Sequence, residues 1–444
     1  MTESERLAAL ERDGVRIIRV TYPDLHGVLR GKDVPIGFFG SHTAAHGLGF
    51  CKAISTTDLQ HNVVSGFEHG FRDIHVWPLP ETLVQLPWAP EVAWCLADQT
   101  ADGEPYGADP RATLKRAMAQ FAALGLEPVM GPELEFYLLK PDERASGGWS
   151  RYVENPTHVY TVGDHADPRG ILDRMLLQLH EAELGVIGAA HEYGMSQWEI
   201  NLNHSSALDA ADRAFRFKAA VKDLATRDGM LATFMGKPFN GDAGSGFHLH
   251  LSLCGEDGSN AFTDTAGDEG CAELLRHFIA GVISHAPGLM AILNPTVNAY
   301  RRIDPHELVP TRACWGYDNR FGLVRVPPER GRATRVEMRL ADGAANPYLA
   351  TAALLFAGLD GIQRKLTPPA PVAGLVYELP EEDQGEPIPL SLGEALDALE
   401  ADAILREALG GQLVGTFLTI KRFELERYNR HVSEWDVAEY AHHL

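Results

Sequence analysis

Gly131-Pro132-Glu133-Leu134-Glu135-Phe136-Tyr137 is the stretch on which the reading of this chain turns. Successive side chains of an extended strand point to opposite faces, so Glu133 and Glu135 share one face and Leu134 and Phe136 the other. One face suits a core; the other brings two carboxylates into one space. Like charges that close repel unless a cation offsets them, and Mg²⁺ and Mn²⁺ prefer oxygen ligands at about 2.0–2.2 Å. A solvated strand face gives the same pattern, so other segments must decide.

Three later segments bear on the choice. In His191-Glu192-Tyr193-Gly194-Met195-Ser196-Gln197-Trp198-Glu199-Ile200-Asn201, two glutamates flank a Gly/Ser turn that leads into alternating Trp198, Ile200 and Leu202; a surface hairpin reads the same way. Residues 237–252 form a Gly-rich loop followed by His248-Leu249-His250-Leu251-Ser252, which puts His248, His250 and Ser252 on one face. Such a loop lets backbone N–H groups approach a ligand, and a histidine serves as metal ligand or hydrogen-bond partner. Between Asn294 and Arg339 lie Arg301, Arg302, Arg312, Arg320, Arg325, Arg330, Arg332, Arg335 and Arg339. Guanidinium forks bind carboxylates and phosphates bidentately, so this density reads either as a site for a nucleotide and an acidic substrate or as surface salt bridges. Arg335-Val336-Glu337-Met338-Arg339 adds one more acid on the face of two arginines.

The 444 residues, 45% of them hydrophobic, can bury a large core and suggest two domains. A formal net charge of -22 repels a phosphate backbone and argues against general nucleic-acid binding. Five cysteines without a CxxC pair read as thiols of a reducing cytosol. No signal-peptide pattern and no apolar run of about 18 residues occurs, so a cytoplasmic protein outside the membrane is expected.

Strand patterns at residues 15–22 and around 28–29 flank the turn 23–27, and further runs fall at 74–77 and 92–96. The polar, Gly-containing stretch 98–107 reads as a linker, dividing the chain into domains 1–104 and 105–444. Helices are expected at 111–124, 168–184, 207–227, 271–286, 347–365 and 392–409, and residues 366–390 read as an exposed loop.

In this order and spacing the segments resemble the glutamine synthetase superfamily over essentially the whole chain. The motifs are GPELEF, HE with Q-x-E, GSGFHLHLS, NPTVNAYRR, WGYDNR and RVEMRL; LHGVLRGKDVP and SEWDVAEY resemble its amine-ligase branches. The resemblance implies an α+β fold: a small N-terminal β-grasp domain and a large catalytic domain whose antiparallel sheet forms an active-site funnel. It also implies stacked rings, a dodecamer, with each site between neighbouring subunits. The implied substrates are glutamate, ATP and an amine, with Mg²⁺ or Mn²⁺ at about two to three ions per site.

Carried onto matching positions, one metal falls to Glu135, Glu192 and Glu199 and another to Glu133, His248 and Glu337. Arg302 matches the arginine at glutamate's α-carboxylate, and Arg339 the one near its side-chain carboxylate. Arg320, Arg325 and Arg335 match contacts to ATP phosphates and the transferred phosphoryl group. Gly244 matches a backbone contact to the amino acid, His250 and Ser252 the nucleotide side, and Tyr160 the ammonium pocket. A carboxylate is a poor electrophile, so the expected chemistry activates it as an acyl phosphate before an amine displaces phosphate.

Departures bear on the amine. The flap glutamate of true glutamine synthetases falls on Leu308, with Glu307 one residue earlier, and Ala243 replaces an asparagine that orients glutamate. Met195-Ser196 replaces a small or Pro-Gly turn. The aspartate normally lent to a neighbour's site has only Thr56-Thr57-Asp58 as a candidate. Tyr377 lacks the charged residues that precede an adenylylated tyrosine and is expected to stay unmodified. The leading expectation is a γ-glutamyl-amine ligase using an alkylamine, ethanolamine or polyamine. The alternatives are glutamine synthetase using ammonia and a non-catalytic structural or regulatory member.

Overall fold

Alternation along one strand already divides the interior of the computed structural model, which describes residues 2–154, 156–304, 307–442 and 444. The first sheet contains β1 (Ile17–Pro23), β2 (Leu29–Pro35), β3 (Leu48–Cys51), β4 (Asp73–Pro78), β5 (Val84–Leu86), β6 (Ala89–Ala101) and β7 (Glu104–Pro105), ordered β2-β1-β6-β4-β3 with β5 and β7 added to β6. On β6, Val92, Trp94 and Leu96 join the main core, while Ala93, Cys95 and Ala97 close a smaller one with Val20 and Tyr22. A period of two therefore makes this strand the wall between two cores.

Two expectations need correction here. The second strand does not stop near residue 29: β2 runs to Pro35 as an edge, with its polar residues outward and Asp33 paired to Arg19 at 2.7 Å. The stretch 98–107 is a hairpin rather than a linker, with β6 continuing to Ala101, turning at Asp102 and Gly103 (φ 53° and 88°) and returning as β7. Its polar residues serve a turn.

The second sheet is built on β8 (Leu126–Pro141). Around it lie β9 (Trp149–Arg151), β10 (Val186–His191), β11 (Gln197–Leu202), β12 (Ser205–Ser206), β13 (Leu231–Thr233) and β14 (Phe247–Gly255). Further along, β15 (Arg312–Ala313) pairs with β19 (Glu386–Pro387), and β16 (Trp315–Tyr317), β17 (Val324–Val326) and β18 (Val336–Met338) complete the order β10-β11-β8-β14-β18-β17-β16. The sheet is antiparallel as expected, with β16 running parallel to β17 at its edge. This gives a mixed α+β fold with curled sheets.

Helices cover the back of β8. Leu134 and Phe136 are fully buried against them, each such side chain contributing about 1.5–3 kcal/mol. Helix Pro110–Ala122 begins as its sequence suggests, with Asp109 accepting from the Arg111 N–H and proline at the first position. Helix Ala207–Arg227 packs across β8, and helix Pro347–Arg364 is buried on nearly every side. Asn346 caps the latter and donates to the Asp24 carbonyl at 2.9 Å, fastening the turn of the first hairpin to the start of that helix. No helix among the described residues is long and apolar enough to cross a membrane, and all five cysteines are unpaired.

The helix expected at 392–409 is two, Leu392–Ala401 and Ala403–Leu409. Asp402 breaks it by accepting the Leu405 N–H at 2.9 Å and bonding His285 Nδ1 at 2.6 Å. His285 also reaches Asp360 at 3.1 Å. Burial opposes its charge, but the Asp402 hydrogen bond and both carboxylates outweigh burial and raise its pKa above 6.5. That stabilisation is complete below the unfolded value and fades as pH rises through the raised folded value. We expect His285→Gln to cost about 1.5–3 kcal/mol at about pH 6 and less at about pH 9 by urea unfolding; a deficit that grows with pH would contradict the assignment.

Candidate active site

Strand register, more than any loop, assembles the acids. In the ladder between β11 and β8, Glu199 lies opposite Glu135 and Asn201 opposite Glu133; between β14 and β8, His248 lies opposite Glu133; between β14 and β18, His250 lies opposite Glu337. Directly opposed residues share a face, so four adjacent strands place their polar side chains over one floor while Leu134, Phe136, Phe247 and Leu249 go below it.

Glu133 is the hub. Its oxygens lie 3.4 Å from His248 Nδ1 and 3.0 Å from His250 Nε2. Arg335 Nε donates to His250 Nδ1 at 3.1 Å; since arginine can only donate, that nitrogen accepts and Nε2 carries the proton toward Glu133. Glu135 accepts from Gln197 Nε2 at 3.0 Å and from the Gly246 N–H at 2.8 Å, and Glu199 accepts from Asn201 at 3.0 Å. Glu337 sits in an arginine fork, 2.5 Å from both Arg325 and Arg339.

The charges are far from balanced. Glu199 is pushed up to about 10 by burial and by Glu133, Glu135 and Glu192, and Glu192 up to about 7 by burial, Glu135 and Glu133 against the pull of Arg320. Burial acts the same way on Glu337, but Arg339, His248 and His250 overcome it and bring it to about 2. Burial is likewise overcome at Glu133 by its two histidine hydrogen bonds, which hold it well below the usual range. Ligand atoms of Glu133, Glu199 and His248 lie within 4.8 Å of one another, a donor set of hard oxygens and one imidazole that fits Mg²⁺ or Mn²⁺. This trio draws on both of the sets carried over from the sequence.

Cation binding here must expel protons, because Glu199 and Glu192 retain them near neutral pH and ligands bind metal deprotonated. We therefore expect Mn²⁺ affinity to rise with pH through about 7. Calorimetric titration should show release of about one proton or more, as a heat that varies with the buffer's ionisation enthalpy. A buffer-independent heat would mean that the acids are already ionised.

The floor opens into a cavity of about 720 Å³ lined by Glu133, Glu135, Glu192, Glu199 and His248. Tyr160, Gly244, Arg302, Glu307, Arg320 and Arg339 also line it. Arg302 is buried, donates to the Leu340 carbonyl and lies 4.0 Å from Asp342. A Cβ at Gly244 would come 2.3 Å from Arg302 Cγ, so only glycine lets the loop pass. Arg339 is braced by Glu337 and the Arg320 backbone carbonyl, and the Arg320 guanidinium, also in the lining, has no ion pair among the described residues. Tyr160 holds φ at 64°, fixed by its N–H on the His191 carbonyl, a strain of the kind found at functional sites.

A second cavity of about 340 Å³ meets the first at Glu133 and contains His250, Ser252 and Arg335. Arg325 lines neither cavity; its guanidinium is engaged by Glu337 and Asp318. Asp58 of the Thr56-Thr57-Asp58 candidate is buried within its own chain, bonded to Asn62 and to Arg427 at 2.7 Å. Sequence reading missed Gln197, which links Glu135 to the Gly244 carbonyl at 2.9 Å. Its signal was present: Gln197, Glu199 and Asn201 alternate opposite Trp198, Ile200 and Leu202. It also missed Lys237, bound to Glu307 at 2.5 Å.

A fold of this kind, with acids, imidazoles and arginines lining two joined cavities, belongs to the glutamine synthetase family: the family described as glutamine synthetase, catalytic domain, matches residues 107–440. The glutamine synthetase of Pyrococcus abyssi is 37% identical over 443 residues, spanning 96% of each chain. That of Thermus thermophilus is 34% identical over 468 residues, spanning 99% of this chain and 98% of its own. Among solved structures, GmaS without ligand has a TM-score of 0.87 and the GmaS/ADP complex 0.88, each at 34% identity over 98% of this chain and 99% of its own. A further structure described as a novel glutamine synthase homolog has a TM-score of 0.82 at 28% identity, over 96% of this chain and 98% of its own. The chain is an ATP-dependent ligase of this family.

Proposed function

We propose that the chain joins glutamate to a small organic monoamine through γ-glutamyl phosphate. The observation that carries this reading is the rim of the large cavity, where Leu308, Val309, Tyr160 and Tyr193 give an apolar border and the charge of Glu307 is offset by Lys237 at 2.5 Å. A bare ammonium ion gains little from such a rim; an alkyl group gains about 0.8 kcal/mol per buried methylene. The structural likeness to GmaS supports the same direction.

In this proposal Arg302 and the Gly244 backbone hold glutamate's α end, while Arg339 and Arg320 approach its side-chain carboxylate. Arg335, His250 and Ser252 receive the nucleotide, and Arg325 acts through its grip on Glu337. Glu135, Glu192 and Glu199 would hold one divalent ion and Glu133, His248 and Glu337 another, Mg²⁺ or Mn²⁺. When bound, these ions offset phosphate charge. A glutamate side-chain oxygen bonds to the γ-phosphorus of ATP as ADP leaves, and the arginines stabilise charge spreading over the transferred group. The amine then attacks the acyl carbon and phosphate departs. Glu307, with one oxygen engaged by Lys237, retains another to accept the amine's proton, and Tyr160 borders the same space. Assembly in stacked rings is part of the proposal.

The competing reading is ammonia-dependent glutamine synthesis, favoured by the names of the curated relatives and by the acids Glu192 and Glu199 within the cavity. Phosphate release with methylamine, ethylamine, ethanolamine, putrescine and ammonium decides between them. We expect kcat/KM for a small monoamine to exceed that for ammonium by about tenfold or more, and Leu308→Glu to shrink the ratio. Ammonium turning over faster than every organic amine would reverse the assignment.

A further inference from the structure

Behind the catalytic sheet, two cavities of about 560 and 390 Å³ share Gly27, Val28, Lys218 and Lys222. They form one groove between the first hairpin and helix Ala207–Arg227. Lys218 and Lys222 stand one helical turn apart, where like charges repel, and both sit over the Phe234 ring, at 5.4 and 5.8 Å from its centroid. Lys218 is 94% buried by its 6% exposure. Among the described residues its ammonium has one hydrogen-bond partner, the Ala345 carbonyl at 2.9 Å, and no ion pair within 4.0 Å. Burial and the neighbouring Lys222 push the Lys218 amine down to about 7, and desolvation within the groove lowers Lys222 as well. With no ion pair to either among the described residues, an anion at the junction of the two cavities would hold both protonated.

The other charges around the groove are largely matched. Arg19 binds Asp33 at 2.7 Å, and Lys421 binds Glu424 at 2.9 Å. Asp223 faces Arg19 and Trp88. The first cavity sets Arg19, Asp33 and Asp223 among Leu29, Trp94 and Phe215, whereas the second is walled by Leu25, Ile292, Leu349 and Phe417. A ligand suited to both needs an anionic head for the lysines and a carbon body for the apolar wall.

We propose that this groove binds a small organic carboxylate, its head group over Lys218 and Lys222 and its carbon body in the apolar cavity. The probe is hexanoate, titrated by calorimetry into the full chain in the presence of saturating glutamate and ADP, with inorganic phosphate as the comparison. The expected result is saturable hexanoate binding, indifferent to glutamate, and weakened about tenfold or more in Lys222→Ala through loss of one charge-assisted contact. Lys222 is solvent-facing at its surface, so this variant should keep its unfolding midpoint and turnover; Lys218→Met tests the buried head-group contact. Absence of saturable binding, competition by glutamate, or unchanged affinity in Lys222→Ala overturns the site. Binding of phosphate without hexanoate overturns the carboxylate assignment.

Discussion

Glu133→Gln should lower turnover on the order of 10³-fold while leaving the chain folded. The substitution keeps the shape of the side chain but removes its charge, and it can set an amide donor against the N–H of His250, which now points at Glu133 from 3.0 Å. It also removes one of the three groups whose ligand atoms cluster within 4.8 Å, at the place where the two cavities meet. Mn²⁺ binding should weaken together with turnover. The unfolding midpoint should fall modestly, since ionised Glu133 is held by its hydrogen bonds to His248 and His250 and protonated Glu199 bonds to it. A variant retaining more than about a tenth of wild-type turnover would remove Glu133 from the reacting centre.

The second large effect concerns stability. Arg111 binds Asp212 with two bonds, at 2.9 and 2.8 Å, and Asp98 at 2.6 Å, while Tyr348 donates to Asp212 at 2.7 Å. These residues come from three helices and β6, and the arginine is almost wholly buried. Arg111→Ala leaves the Asp212 carboxylate without its counterion, which should cost about 3–5 kcal/mol in urea unfolding. The double variant Arg111→Met with Asp212→Leu should recover much of that loss, because a well-packed apolar pair avoids burying either charge. If the double variant is no more stable than the single one, the uncompensated carboxylate is not the source of the cost.

Much of this geometry could be read before any fold was known, and the reason is local. Glu133 and Glu135 share a face because a strand alternates; His248 and His250 do so for the same reason, and residues 207–227 keep a helical period from end to end. What escaped was contact across distance. Lys237 meets Glu307 from 70 positions away, and neither residue's neighbours announce the other. The apolar period across 392–409 runs smoothly through Asp402, whose role as a break depends on His285, 117 positions earlier. Helix Gly411–Asn429 begins at a Gly-Gly pair and lacks a sharp apolar stripe, so neither its start nor its length stood out. Register between strands also had to come from the structure, since alternation fixes faces but not which residue of one strand lies opposite which of another.

β8 carries Glu133 and Glu135 upward and Leu134 and Phe136 downward along sixteen residues. Deleting a single residue ahead of Glu133 would turn both carboxylates into the hydrocarbon interior and both apolar groups into the cleft. Changes of length should therefore be tolerated after Pro141, where the strand has ended, and eliminated before Glu133. Along this segment heredity can alter letters but not spacing, and a lineage that loses the spacing loses its catalyst and its foundation together.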